Sequence, residues 1–60
     1  MDLYNTEKKY NYAGIKNISF VEFKTINDRE HVVMRDIFGT EKTVYKSLYD
    51  KYTKEMPNSL

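Results

Sequence analysis

The sequence contains no cysteine, no tryptophan, one proline (Pro57), two glycines and one histidine, His31. Without cysteine there is no disulfide and no thiolate metal site, and a single histidine makes a structural zinc site a poor expectation. No apolar run approaches the roughly 18–20 residues that a membrane span needs. The first residues, Met-Asp-Leu-Tyr-Asn-Thr-Glu-Lys-Lys, hold no apolar stretch of the kind a signal peptide carries. The expectation is a chain that works in the cytoplasm and away from the membrane. Charge of one sign is lacking too. Ten Lys+Arg face nine Asp+Glu, a net charge of +1, without the basic excess usual for a nucleic-acid binder.

A chain of 60 residues makes one small domain. It buries only about 60% of the surface its unfolded form exposes, which leaves it marginal without a staple or a partner. With disulfides and metals set aside, self-association or tight binding to another protein is the remaining remedy. A homodimer is therefore expected.

The residues that are present favour sheet. Residues 18–26 and 30–38 are rich in β-branched and aromatic side chains and flank the polar stretch Asn27-Asp28-Arg29-Glu30, read as a four-residue hairpin loop. Gly39-Thr-Glu-Lys42 marks a second turn, after which residues 42–46 read as a short third strand. Ser47, with Asp50 three residues on, has the form of a helix cap. A helix over residues 48–56 would put Leu48, Tyr49, Tyr52 and Met56 on one stripe, with Asp50 pairing with Lys54 and Pro57 as the stop. A competing helix over residues 40–56 would use Val44, Leu48 and Tyr52 as its stripe. The fold class expected is α+β: a three-stranded antiparallel meander with one C-terminal helix on one face. Residues 1–14 stand between a mobile arm, a short edge strand holding Tyr10 and Tyr12, and two helical turns. Gly14 interrupts any of these.

Strict alternation divides the hairpin into two apolar faces. Val21 and Phe23, with Val32, Met34 and Phe38, would seat the helix. Phe20, Val33 and Ile37 would lie on the opposite face, where so short a chain has little left to cover them. That second face is expected to meet another copy or a target. With Tyr10 and Tyr12, these three form the expected interface set. Six tyrosines in so small a chain also speak for contact surface.

No constellation carries catalytic chemistry. Glu30 would point away from its neighbour His31 if both lie in a strand, Ser47 has a capping role, and Ser59 lies in the tail. Asp28, Glu30, Asp36 and Glu41 are scattered over the turns, without the spacing that gathers oxygens around a cation. No cofactor, metal or catalytic residue is expected. Lys42, Lys46, Lys51 and Lys54 alternate with Tyr45, Tyr49 and Tyr52, a pattern able to track phosphates and stack bases. Glu41, Asp50 and Glu55 in the same stretch weaken it.

Phe, Tyr, Met, Ile, Asn and Lys make up 29 of the 60 residues, against 6 for Gly, Ala, Arg and Pro. The first set has AT-rich codons, the second GC-rich ones, so an AT-rich bacterial, phage or plasmid genome is expected. Small size, many tyrosines, no catalytic set and AT-rich coding together resemble, as a profile, small phage-encoded inhibitors of bacterial defence or housekeeping proteins. That resemblance implies a non-enzymatic protein that blocks a larger bacterial partner sterically. The alternative is a small dimeric nucleic-acid-binding regulator that uses the lysines of the last third.

Overall fold

The computed structural model describes residues 3–56. The sheet has five strands rather than three, and the helix is short and internal rather than C-terminal. Strands β1 (Lys9–Tyr12), β2 (Ile15–Ile26), β3 (Arg29–Arg35) and β4 (Glu41–Tyr45) form an antiparallel meander. Helix α1 (Lys46–Tyr52) then carries the chain from one edge of the sheet to the other. There β5 (Thr53–Glu55) pairs with β1, so the order is β4-β3-β2-β1-β5.

Two hairpins close on two-residue turns whose central residues all have positive φ. Ala13 and Gly14 stand at +46° and +88° between Tyr12 and Ile15; Asn27 and Asp28 stand at +51° and +61° between Ile26 and Arg29. That turn type matches the right-handed twist of the flanking strands. Asn and Asp tolerate the left-handed region because their short polar side chains bond locally. The expected four-residue loop is therefore half as long, and β3 begins at Arg29, one residue before the strand start expected at Glu30.

The two-faced hairpin does not exist. Along β2 the partners of Phe20 and Glu22 are the adjacent residues Met34 and Val33, so Val21 is one residue in excess on its strand. Such a bulge inverts the alternation beyond it. Phe20 and Phe23, on opposite faces under strict alternation, come to one face with ring centroids 5.1 Å apart. A second irregularity opposite β1 brings Ile15 and Ile18 to that face as well, with Asn17 at φ +62° inside it. The front face of β2 is thus Ile15, Ile18, Phe20 and Phe23.

The core forms against this face from Tyr10, Ile18, Phe20, Val32, Met34 and Tyr49, with Leu3, Tyr4, Tyr12, Ile15 and Val44 packed around it. The other pole of the fold is polar. Lys9, Ser19, Arg35 and Glu41 form one row across the back of the sheet, with Lys9 Nζ 2.6 Å from Ser19 Oγ and an Arg35–Glu41 ion pair at 2.6 Å. Val33 is buried on this side, between Glu22 and Thr43 on the neighbouring strands. Phe38, expected in the core, is 86% exposed, and Phe23 is half exposed.

The helix also differs from expectation, and the competing helix from residue 40 is excluded because residues 41–45 are strand. Tyr45 occupies the N-cap position without a side-chain hydrogen bond, so Ser47 is not the cap. Thr53 ends the helix at φ −92°, ψ 135°, its N–H bonded to the carbonyl of Tyr49. The reason is pairing from outside the helix. Thr53, Lys54 and Glu55 lie opposite Tyr12, Asn11 and Tyr10 on β1, and the β-branched Thr53 is buried there. Pro57 lies outside the described residues, beyond the point where the helix has already stopped. With Lys54 in β5, Asp50 pairs instead with Lys46, one turn back, at 3.1 Å. Of the expected stripe only Tyr49 is fully buried; Leu48 and Tyr52 are exposed, and Met56 follows β5.

The tyrosines explain how so small a chain has an interior. Tyr49 lies between Tyr4 and Tyr12, with near-parallel rings 5.7 and 6.3 Å away. Tyr4 packs on Phe20 and Phe23 as well, at 5.5 and 4.9 Å. A buried tyrosine needs a partner for its hydroxyl. Tyr49 Oη donates to the carbonyl of Leu3 at 2.7 Å, and Tyr10 Oη accepts the backbone N–H of Asn5 at 3.1 Å. Both bonds tie the segment before β1 across the core. Tyr4 adds a hydrogen bond from its hydroxyl to Asp50 on α1.

Candidate functional site: an apolar hairpin tip

Among the described residues the large apolar side chain most open to solvent is Phe38, 86% exposed at the tip of the β3–β4 hairpin, and its neighbour Ile37 is 63% exposed. The segment that holds them is tightly bonded. Asp36 N–H donates to the carbonyl of Thr40 at 3.0 Å, and Gly39 N–H donates to the carbonyl of Asp36 at 3.1 Å. The Asp36 carboxylate oxygen Oδ1 accepts two further backbone N–H groups, from Phe38 at 2.9 Å and Thr40 at 3.0 Å. Gly39 turns the chain at φ +84°, where a side chain would be strained. Asp at the first position and Gly at the fourth is the signature of a common tight turn. That signal, in residues 36–39, was the one able to place Phe38 in a turn rather than in a strand.

An exposed aromatic next to an exposed branched aliphatic, on a turn locked by two backbone–backbone hydrogen bonds and two to the Asp36 carboxylate, costs little side-chain and loop ordering when it docks. Exposed apolar groups on a small protein mark contact sites when they are adjacent. Here they are adjacent in sequence and stand at one end of the sheet.

The expected interface residues separate. Ile37 is at this tip. Tyr10 and Phe20 lie in the core, Val33 is buried in the back of the sheet, and Tyr12 is half-buried against Tyr49 and Tyr52. The residue that sequence reasoning missed is Phe38.

The remaining chemistry-bearing groups are dispersed. His31 lies on the back face, its Nδ1 2.9 Å from the carbonyl of Arg29 and its ring 4.7 Å from that of Tyr45. Glu30 points to the front, since it pairs with Thr25 while His31 pairs with Lys24. Among the described residues no group of three or more His, Asp or Glu side chains is placed to hold a metal ion. None of the described helices is long and apolar enough to cross a membrane. The alternating lysines and tyrosines of the last third part company. Lys42 lies on β4 and Lys46 on α1, its Nζ 5.5 Å from the centre of the Tyr4 ring, while Tyr49 is in the core. Only Lys51, Tyr52 and Lys54 remain together, beside the β1–β2 turn.

No protein-family model, curated protein or solved structure matches the chain.

Proposed function

We propose that this protein is a non-enzymatic interaction module that seats Ile37 and Phe38 in an apolar recess of a larger protein and blocks that surface sterically. The observation that carries this reading is the exposure of both side chains on a turn braced by Asp36. Hot spots of protein interfaces are large side chains that enter a partner's pocket, ringed by contacts that exclude water. The partner that fits is a protein with a dry, uncharged recess. The AT-rich residue usage and small size support a setting in the cytoplasm of a low-GC bacterium, with the chain encoded by a phage or mobile element. A homodimer joined through the same tips is the second form of this reading.

The test is affinity capture from a low-GC bacterial extract with the native chain and with Phe38→Ser, alongside light scattering of the free protein. One captured protein, lost with Phe38→Ser while the variant keeps its fold, supports a target. A dimer that Phe38→Ser dissociates supports self-association. Capture or dimerisation indifferent to Phe38→Ser and Ile37→Ser refutes the tip as the site.

A further inference from the structure

The corner where the β1–β2 turn meets the end of α1 and β5 holds a groove of about 500 Å³, within the size range of small-molecule sites. Its walls bring together three lysines from three different elements: Lys16 of β2, Lys51 of α1 and Lys54 of β5. The ion pairs among the described residues, Lys8–Glu55, Arg35–Glu41 and Lys46–Asp50, use other cations. The acid on the groove wall, Glu55, has its carboxylate held by Lys8 at 3.2 Å. Positive charge is therefore concentrated here in a chain of net charge only +1. Tyr52 lines the same groove and carries the Lys51 ammonium 5.2 Å from its ring centre. The floor includes Asn11, which is directly opposite Lys54 in the sheet and whose Oδ1 is buried without a hydrogen-bond partner.

We infer that this groove binds a chain of two or more phosphates, either free polyphosphate or the polyphosphate of a nucleotide. Three ammonium groups suit several adjoining phosphoryl oxygens better than a single carboxylate, because each charged pair adds its own charge-assisted hydrogen bond. A lysine is a mobile point donor that follows such a chain without demanding fork geometry. The rim formed by Ala13 and Gly14 leaves open space, with nothing within 4 Å of where a Gly14 side chain would begin. This inference is independent of the Ile37–Phe38 tip, which belongs to the β3–β4 connection.

The experiment is a titration of the intact chain followed by backbone amide NMR, with pyrophosphate, tripolyphosphate, ATP and sulfate at constant ionic strength. The expected result is saturable shifts confined to residues 11–16 and 51–55, tighter for tripolyphosphate than for pyrophosphate and absent for sulfate. ATP binding tighter than tripolyphosphate assigns the nucleotide; equal binding assigns the free chain. Lys16→Gln with Lys51→Gln should weaken binding about tenfold or more. Lys24→Gln with Lys42→Gln, which removes two lysines outside the groove, should leave it unchanged. The single variant Lys54→Gln provides the same reading should the double variant lose its native spectrum. Shifts spread over all lysine-bearing strands, sulfate equal to tripolyphosphate, or groove variants that bind like the native chain overturn the inference.

Discussion

The hydroxyl of Tyr49 donates to the carbonyl oxygen of Leu3 at 2.7 Å, joining residues 46 positions apart in the chain. Tyr49 is fully buried, and the bond fastens the first described segment over the core. Tyr49→Phe removes only the oxygen. It should cost about 1 kcal/mol, the net value of one such bond, and lower the melting temperature by about 4–8 °C. Tyr49→Ala also removes a ring stacked between two others and should cost about 3–5 kcal/mol, near the whole stability of so small a domain. Thermal unfolding by circular dichroism measures both. A Tyr49→Phe variant as stable as the parent would show that the bond holds nothing.

Ala13 carries φ +46°, a conformation that L residues adopt at a cost of about 1–2 kcal/mol. Ala13→Asn creates an Asn-Gly pair, the favoured occupant of this turn, and keeps the N–H that bonds the carbonyl of Tyr52 at 3.2 Å. The expected gain is about 1 kcal/mol, seen as a raised denaturant midpoint at constant slope. Gly14→Ala should lose about 1–2 kcal/mol although no atom lies within 4 Å of the added carbon, because φ +88° rather than crowding sets its cost. A neutral result for both substitutions would remove the argument from backbone strain.

Val21 is the excess residue of the β2 bulge. Its deletion leaves Phe20 opposite Met34 and Phe23 opposite Val32, now with regular alternation between them. The deletion should therefore give a folded protein that loses about 1–3 kcal/mol, with proximity between the Phe20 and Phe23 rings retained in NOE spectra. Phe20→Ala, which keeps the chain length, should cost about 3–5 kcal/mol. An unfolded deletion variant would mean that the curvature of the bulge, and not the side-chain set it aligns, is what the sheet requires.

Asp36 supports the tip through two backbone N–H groups. Asp36→Ala should cost about 1–2 kcal/mol and speed hydrogen exchange at Phe38 and Thr40, while Asp36→Asn, which keeps a carbonyl oxygen, should preserve most of the protection. Phe38→Ser, at a side chain 86% exposed, should change stability by less than about 0.5 kcal/mol. That separation of a stable fold from lost binding is what makes Phe38→Ser the useful variant for the capture experiment.

The local grammar of this chain was legible without its fold. Two β-rich stretches around Asn27-Asp28, a turn at Gly39, a third strand expected over residues 42–46 and found at Glu41–Tyr45, and a helix expected over residues 48–56 and found at Lys46–Tyr52 follow from propensities and turn formers, whereas β1 and β5 do not. What only the tertiary structure decided depends on partners far away in sequence. Phe20 and Phe23 share a face because the register against β3 leaves Val21 unpaired, and a one-residue change of register moves every later side chain to the other face. The helix stops at Tyr52 because β1 offers Thr53 a strand to pair with, about 40 residues away, and helix signals in residues 47–57 carry no trace of that offer. The tyrosines read as contact surface because so small a chain offers little interior for six of them; Leu3 and Asn5 supply partners for the hydroxyls of Tyr49 and Tyr10 only once the first segment has folded across the core. Propensity thus placed a central antiparallel hairpin and a helix beside it, while long-range pairing made the sheet five-stranded rather than three-stranded, decided which aromatics it buries and left Phe38 outside.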